Sequence, residues 1–302
     1  MGAAKALMQH SYICGSQRTV CGGMSSGPPL IGLDGGGFYI SWILGVGAGM
    51  QRIGTPLHQC VFSGASAGAS VAALLACGVD MRVARDWLLH HPKSVACFTS
   101  PVGAAFRVHD VMTSFMRAML PADAAQRCRG RLHIIVCSRR RGCYFVSDFR
   151  NTEDIIEAVA SSTHMPYFSD GKYSYMYRGE EHIDGAWGSS KWAVLLCADS
   201  DTKVRIAHDD DKAMPDNRPF YEVVSMAAQV ARFERGVAYA SELDALGGLP
   251  REIGIYANAA SNRDESASGD HQPHRLEGHH RPALGENRRG RSTGGRGLRI
   301  DG

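Results

Sequence analysis

The chain contains 302 residues, of which 44% are hydrophobic and 21% are charged, and its formal net charge at pH 7 is +3. This length and apolar content suffice for one main domain with a sizeable core, plus extensions. The net charge is too small to indicate a nucleic-acid-binding protein, so no specific nucleic acid is predicted as a partner. The nine cysteines are odd in number and scattered, without a CxxC or Cys/His cluster, which predicts reduced, buried thiols in an intracellular protein and no metal site.

The first 29 residues contain Lys5 and Arg18 and no acidic residue. Two basic side chains in that length are a weak signal for organelle targeting, and a disordered leader without a targeting role is the favoured interpretation. Ala6 occupies the position that N-myristoylation requires to be Ser or Thr, so no lipid anchor is predicted. The longest apolar stretch, residues 38–50, is too short to cross a bilayer, and any membrane contact is expected to be peripheral.

The apolar residues 30–33 predict a short buried strand, and residues 38–44 predict a helix buried against a sheet. Between them an aspartate precedes three glycines: Asp34, Gly35, Gly36 and Gly37. A glycine-rich turn leaves several amide N–H groups facing one way, and such donors can stabilise the charge of a tetrahedral intermediate. The alternative is the phosphate-binding turn of a dinucleotide fold, but Ile40 stands where that fingerprint needs its third glycine.

A second apolar run, residues 58–63, leads into a serine surrounded by small residues: Gly64, Ala65, Ser66, Ala67 and Gly68. The alanine-rich residues 69–76 predict a helix that Gly78 ends as a C-cap. A nucleophile at a strand–turn–helix elbow needs small neighbours, because its backbone is strained and the helix passes close to the strand. The elbow predicts Ser66 as the nucleophile of a covalent acyl-transfer site and the Ala67 amide as an oxyanion-hole donor.

Two middle segments have helical spacing, residues 79–91 and 108–120. Residues 131–138 predict a buried strand that pairs with residues 143–146. Thr152 is predicted as the N-cap of a helix that runs to about Ser161, with acidic residues in its first turn. Strands that alternate with helices predict an α/β fold with a mostly parallel sheet covered on both faces.

Asp184 is followed by Gly185 and Ala186, a sequence whose commoner use is an ordinary turn. A carboxylate with an ordinary pKa of about 3.9 is a weak base for a serine hydroxyl, so a catalytic aspartate must be hydrogen-bonded and shielded from water. The two small residues leave room for Asp184 to reach Ser66. A Ser-His-Asp triad with His208 is the alternative, although the acidic neighbours of His208 predict a solvated loop residue.

Residues 221–243 predict a helix that packs on the domain through an aliphatic stripe: Val223, Val224, Ala227, Val230, Ala231 and Val237. Three charged side chains are expected off that stripe: Arg232, Glu234 and Arg235. Beyond this helix, residues 275–299 contain seven arginines and two glutamates. Residues 258–302 are therefore predicted to be a disordered Arg/Gly-rich tail, interpreted as an inert extension, with attraction to anionic lipid or RNA as the alternative.

Four motifs follow one another along the chain: the glycine loop 34–37, the elbow 64–68, residues 158–166 and residues 183–186. With these motifs the chain resembles the patatin-like phospholipases, a family of lipid acyl hydrolases, over roughly residues 30–196. The resemblance implies a patatin-like three-layer α/β fold with a mostly parallel central sheet flanked by helices. It also implies that Ser66 is the nucleophile, that Asp184 is its base, and that the oxyanion hole is formed by the amides around Gly35, Gly36 and Gly37.

The chain departs from the family pattern just after the glycine loop. A basic residue and then a glycine are common there in the family, whereas this chain has Tyr39 and Ile40. The departure does not change the nucleophile assignment, but it leaves both the substrate preference and the rate open.

Residues 30–257 are thus predicted to form one catalytic domain, with a motif-bearing core at about 30–197. We expect a serine hydrolase that cleaves phospholipid or acylglycerol esters through an acyl-Ser66 intermediate, with Asp184 as base and no metal or organic cofactor. The alternatives are a transacylase with the same Ser66–Asp184 dyad and a catalytically idle lipid-binding member. The expected partners are a lipid ester and, by peripheral contact, a membrane or lipid-droplet surface. The expected location is cytoplasmic or membrane-peripheral, with organelle targeting left open.

Overall fold

The computed structural model of the protein describes residues 27–99, 104–190, 192–214 and 224–251. All of them belong to the first of the two units into which the chain divides. The predicted leader up to residue 26 and the predicted tail from residue 258 lie outside the described residues, so both remain predictions.

Seven strands of the described residues form one sheet. They are β1 (Leu30–Leu33), β2 (Val61–Gly64), β3 (Leu132–Ser138), β4 (Gly142–Val146), β5 (Tyr175–Tyr177), β6 (Glu180–Ile183) and β7 (Lys203–Ile206). Their order is β5-β6-β3-β2-β1-β7, with β4 also paired to β3. The adjacent strands β7, β1, β2 and β3 are parallel, with β7 at the edge of the sheet. Strands β4 and β6 run antiparallel to β3, and β5 runs antiparallel to β6.

Nine α-helices occur in the same ranges. They are α1 (Ile40–Arg52), α2 (Ala67–Cys77), α3 (Met81–His90), α4 (Pro92–Thr99), α5 (Val108–Met119), α6 (Ala124–Cys128), α7 (Thr152–Ser162), α8 (Gly185–Gly188) and α9 (Met226–Ala245). Helix α2 ends as predicted at Gly78, whose φ of +73° places it in the left-handed region that glycine adopts without strain. The strand at 132–138 and its antiparallel partner are confirmed as β3 and β4.

The two faces of the sheet are covered unequally. Side chains of successive strand residues point to opposite faces, and one set, including Ile31 and Ile134, joins the large core with α1, α2 and α7. The opposite face carries a smaller buried cluster: Ala65, Ile135, Cys137 and Val194. Ala186 and residues 193–195 pack on this face, so closely that a Cβ on Gly32 would lie 2.8 Å from the Val194 carbonyl oxygen. The predicted α/β fold with a mostly parallel central sheet flanked by helices is confirmed, but one covering layer is short.

Helices α1 and α9 cross in backbone contact. A Cβ on Gly45 would lie 2.1 Å from the carbonyl oxygen of Phe233, and one on Gly236 would lie 2.2 Å from that of Trp42. Only glycine permits this approach. Because the two helices touch so closely, α9 is held firmly beside the glycine loop that precedes α1.

The buried face of α9 differs from the predicted aliphatic stripe. Val230 is 42% exposed, whereas Arg232 is fully buried. The guanidinium of Arg232 lies 4.0 Å from the centroid of the Tyr39 ring and donates a hydrogen bond to the Phe38 carbonyl (3.1 Å). A buried cation that finds an aromatic face and a carbonyl acceptor can replace an aliphatic side chain, and helical periodicity does not reveal such partners.

The N-cap of α7 is Asn151 rather than the predicted Thr152. The Asn151 side chain accepts a hydrogen bond from the Asp154 amide (2.9 Å), while the Thr152 hydroxyl donates to the Ala122 carbonyl (2.8 Å). Both residue types are good caps. The turn between α5 and α6 decides between them, because its Ala122 carbonyl accepts the hydrogen bond of the Thr152 hydroxyl.

The prediction of reduced thiols is wrong for two cysteines. Cys137 and Cys143 form a disulfide between β3 and β4, where they stand directly opposite each other in the antiparallel register. The free thiols among the described residues are Cys60, Cys77, Cys97, Cys128 and Cys197. The scattered spacing of the cysteines did not predict this disulfide, because the hairpin between the two strands brings cysteines six positions apart into direct pairing.

Candidate active site

Ser66 occupies a sharp elbow between β2 and α2. Its φ of +52° and ψ of −128° lie where residues with a side chain are seldom found. The elbow is closely packed, since a Cβ on Gly64 would lie 2.5 Å from the Gly68 carbonyl oxygen and one on Gly68 would lie 2.2 Å from that of Leu33. The small residues let α2 start directly against β1 and β2, with the Ser66 hydroxyl at its N-terminus.

Asp184 stands between β6 and α8 and contacts Ser66 directly. The Ser66 hydroxyl donates a hydrogen bond to Asp184 Oδ2 at 2.6 Å. Asp184 Oδ1 accepts hydrogen bonds from the amides of Ala186 (2.8 Å) and Trp187 (3.2 Å), and the Asp184 amide donates to the His164 carbonyl (2.7 Å). These bonds hold the carboxylate in one orientation against the serine.

Burial controls the charge of this carboxylate. Asp184 is only 3% exposed, and its burial raises its pKa to about 6, although the hydrogen bonds from Ser66, Ala186 and Trp187 act in the opposite direction. The group is therefore ionised at neutral pH and is a stronger base than an exposed aspartate.

Glycines allow the three pieces of the site to meet. A Cβ on Gly185 would lie 2.2 Å from the Ile135 carbonyl oxygen. One on Gly35 would lie 2.4 Å from the Cβ of Ala186 and 3.4 Å from that of Ser66. A side chain at either position would separate the glycine loop, the serine and the aspartate.

The amides of the glycine loop are not equivalent. Gly35 N–H donates to Asp34 Oδ1 (2.8 Å), and Asp34 Oδ2 accepts a hydrogen bond from Arg205 (2.6 Å). The Gly35 amide is thus already engaged. The amides of Gly36, Gly37 and Ala67 have no acceptor within residues 27–99, 104–190, 192–214 and 224–251. These three N–H groups, together with the N-terminus of α2, are donors that an anion at this site could bind.

A cavity of about 560 Å³ opens above the serine and the aspartate. It is lined by Gly35, Gly36, Gly37, Ser66, Met165, Pro166, Phe168, Asp184, Ala186, Trp187 and His208. A narrow apolar crevice also begins at Ser66 and continues into the core. Its walls are Gly37, Phe38, Ile40, Ala67, Cys97, Phe98, Val108, Val111, Met112, Thr163 and Met165. The space beside the serine is therefore lined largely by apolar side chains, and Ser66, Asp184 and His208 are the polar side chains that line the cavity.

His208 lies in the cavity wall and is not the solvated loop residue that was predicted. It is half-buried, and its ring stacks on Tyr39 with a centroid distance of 4.3 Å. The Ser66 hydroxyl donates its hydrogen bond directly to the Asp184 carboxylate, with no imidazole between them. The backbone carbonyl of His164 holds the Asp184 amide, and burial lowers the pKa of the His164 side chain. The geometry thus favours a serine–carboxylate pair over a triad.

Two residues at the site were not singled out from the sequence. Ser162 accepts a hydrogen bond from the Ser66 amide (2.9 Å), and Arg205 binds the aspartate that opens the glycine loop. Ser162 lies in the segment 158–166 that carries the family resemblance, but nothing in its spacing assigns it a partner. Within the described ranges, no group of three or more His, Cys, Asp or Glu side chains is arranged to hold a metal ion.

The fold and the site together define an α/β protein in which a serine at a strand–helix elbow is hydrogen-bonded to a buried aspartate beside a glycine-rich loop. Residues 32–191, more than half of the chain, match the family model described as patatin-like phospholipase. The chain belongs to the patatin-like phospholipase family.

Known relatives match the chain over part of their length. It is 30% identical over 169 residues to the omega-hydroxyceramide transacylase of Mus musculus, covering 54% of this chain and 28% of that protein. It is 28% identical over 156 residues to patatin-like phospholipase domain-containing protein 4 of Homo sapiens, covering 49% and 60%. The chain thus spans less than two thirds of each relative. The crystal structure of VipD from Legionella pneumophila has a TM-score of 0.37 and 14% identity, covering 54% of this chain and 46% of that chain.

One structural observation bears on membrane contact. Among the described residues, no helix combines the length and the apolar character needed to span a bilayer.

Proposed function

We propose that the protein is a serine lipid acyl hydrolase that cleaves ester bonds of phospholipids or acylglycerols through an acyl-Ser66 intermediate. The observation that carries this proposal is the 2.6 Å hydrogen bond between Ser66 Oγ and the buried Asp184 Oδ2 in the wall of a largely apolar cavity. Family membership supports the same class of chemistry.

In the acylation step, Ser66 Oγ attacks the ester carbonyl carbon while its proton passes to Asp184. The carbonyl oxygen becomes an oxyanion, which accepts hydrogen bonds from the amides of Gly36, Gly37 and Ala67. The tetrahedral intermediate then collapses, and the bond to the leaving alcohol breaks. Asp184 returns its proton to that alcohol oxygen, leaving acyl-Ser66.

Deacylation repeats the sequence with water. A water molecule gives a proton to Asp184 and attacks the acyl carbon, forming a second oxyanion at the same amides. Collapse breaks the bond to Ser66 Oγ, which takes the proton back from Asp184. The fatty acid leaves, and the protein returns to its starting state.

The shape of the site supports a lipid ester as substrate. The apolar crevice that starts at Ser66 passes Phe98, Val111 and Met112. That crevice holds only about 30 Å³, so we place the hydrocarbon chain in the adjoining cavity of about 560 Å³, against Met165, Phe168 and Trp187, with its carboxyl ester at the serine. Trp187, which is 64% exposed, lines the cavity and offers an amphipathic ring to a membrane or lipid-droplet surface, which we propose as the place of action.

A transacylase is the second candidate. Two relatives bear the name omega-hydroxyceramide transacylase. Such an enzyme would form the same acyl-Ser66 and transfer the acyl group to a hydroxyl of a second lipid in place of water.

Active-site labelling and product analysis test these proposals. The purified full chain should react with a fluorophosphonate probe and release fatty acid from a panel of esters. Ser66→Ala removes one oxygen from the site, so we expect loss of labelling and a fall in turnover on the order of 10³-fold or more. Acyl transfer to an alcohol in preference to water would identify the transacylase. A folded wild-type protein that neither labels nor turns over would support the idle lipid-binding alternative, and normal activity of Ser66→Ala would reject Ser66 as nucleophile.

A further inference from the structure

Ser162 links the nucleophile to the central sheet. It is the last residue of α7 and is fully buried. Its hydroxyl donates a hydrogen bond to the Ile135 carbonyl on β3 (2.7 Å) and accepts one from the Ser66 amide (2.9 Å). A single side chain thus connects a core strand to the backbone of the elbow.

The Ser66 backbone needs such a partner. Its positive φ places it in a strained conformation, which persists only when surrounding contacts hold it. The Ser66 amide is buried, and a buried N–H without an acceptor is strongly disfavoured. Because Ser162 Oγ is that acceptor, it holds the elbow in the conformation that presents the Ser66 hydroxyl to Asp184.

The same hydroxyl lies against the loop that carries Asp184. A Cβ on Gly185 would lie 2.8 Å from Ser162 Oγ and 2.2 Å from the Ile135 carbonyl oxygen. The Gly185 backbone therefore rests on the Ser162–Ile135 hydrogen bond. Ser162 therefore contacts the Ser66 amide and the backbone directly after Asp184.

We propose that Ser162 is a positioning residue that sets the geometry between Ser66 and Asp184. This inference rests on the proposed acyl-transfer function. Ser162 touches neither the cavity nor the reacting atoms, so its effect should appear in the rate of the chemical step and not in substrate binding. Displacements of about 1 Å at a reacting group can cost about 100-fold in rate.

The neighbouring residue provides a matched control. Ser161 is also fully buried on α7, but its hydroxyl has no hydrogen-bond partner among the described residues. Ser161→Ala and Ser162→Ala each remove one buried hydroxyl from adjacent positions. Only the second substitution removes the contact with Ser66.

The experiment compares the two variants in the full chain. We expect Ser162→Ala to lower kcat on a soluble ester by about 10- to 100-fold with KM changed by less than about twofold. The rate of fluorophosphonate labelling should fall by a similar factor. Ser161→Ala should stay within about twofold of wild type in both measurements, and both variants are assayed well below their melting temperatures.

Equal kinetics of the two variants would overturn the proposal, as would a loss in Ser162→Ala that only follows its unfolded fraction. If Ser162→Ala does not fold, Ser162→Cys keeps a weaker hydrogen-bonding group of similar size. Ser162→Cys is then expected to have a kcat below that of the wild type and an unchanged KM, and a wild-type kcat would contradict the inference. Labelling that survives Ser66→Ala would instead reject the proposed function itself.

Discussion

Asp184 carries a carboxylate that is buried, hydrogen-bonded through both oxygens and in contact with the Ser66 hydroxyl. As the proposed base, it must be ionised to act, and burial raises its pKa to about 6. His208 shares the cavity but stacks on Tyr39. Substitutions of Asp184 and His208 therefore test directly which side chain accepts the serine proton.

Asp184→Asn retains the shape of the side chain and removes its basicity. We expect it to lower kcat nearly as much as Ser66→Ala, while His208→Ala costs less than about tenfold. In the wild type, kcat should fall as the pH drops below about 6, because Asp184 becomes protonated. Steady-state kinetics between pH 5 and pH 8 measure both effects. An inactive His208→Ala together with an active Asp184→Asn would identify a triad instead.

The raised pKa of Asp184 also has a consequence for stability. The folded state holds the Asp184 proton up to about pH 6, whereas the unfolded chain releases it near its ordinary value of 3.8. Since the folded state binds more protons in that window, the free energy of unfolding decreases as the pH rises through it. The ionised carboxylate should cost on the order of 2–3 kcal/mol at neutral pH.

Asp184→Asn removes this cost, so the variant should be more stable than wild type at pH 8 and lose that advantage at pH 4. Urea unfolding at the two pH values gives the difference. An equal effect of Asp184→Asn at both pH values would mean that Asp184 does not titrate as described.

At the scale of elements, α9 supports the glycine loop although it lies beyond the residues that match the family model. Close glycine contacts hold it against α1, and Arg232 donates to the Phe38 carbonyl beneath the Tyr39 ring. Arg235 binds Asp211, which also accepts a hydrogen bond from Trp42. Helix α9 is thus tied both to the start of α1 and to the segment that follows His208.

Arg232→Met tests this connection. Methionine fills part of the volume but leaves the Tyr39 face without its cation, and the substitution should lower the free energy of unfolding by roughly 2–4 kcal/mol. Val230→Ala, at an exposed position of the same helix, should stay within about 0.5 kcal/mol of wild type. Chemical denaturation of both variants decides the matter. A similar small effect of the two substitutions would show that the buried guanidinium does not stabilise the fold.

At the scale of the whole molecule, the remaining question concerns residues 258–302, with seven arginines between 275 and 299. These residues lie outside the described part of the chain, and the favoured interpretation is an inert extension. We therefore expect that truncation after Ala257 leaves turnover of a soluble short-chain ester unchanged. We also expect equal binding of both forms to anionic vesicles in sedimentation assays at low and high salt.

Electrostatic attraction would give another pattern. Each arginine near an anionic surface contributes roughly 1 kcal/mol, and salt screens that attraction beyond about 10 Å at 0.1 M. A loss of vesicle binding on truncation at low salt, but not at high salt, would show that the tail is an electrostatic tether.

Local patterns in the sequence predicted the strands at 30–33 and 131–138, the helix that ends at Gly78 and the α/β class of the fold. These features depend on side-chain periodicity and backbone preferences within short segments, so neighbouring residues suffice to predict them. The ordered motifs also led to the family, which the family-model match confirms. The roles assigned to Ser66 and Asp184 remain predictions, although the structure brings the two side chains together.

Tertiary structure alone decided which groups are paired and which are exposed. The Ser162 hydroxyl reaches an amide 96 positions away, and the Arg232 guanidinium reaches a carbonyl 194 positions away. Neither partner can be found from local periodicity, because the fold brings distant segments together in space. For the same reason the sequence could not show that the Gly35 amide is engaged at the edge of an Asp34–Arg205 ion pair, or that His208 lies in the cavity wall. Hydrogen-bond partners and burial are properties of the packed chain, whereas the presence of a strand or a helix is largely a property of its segment.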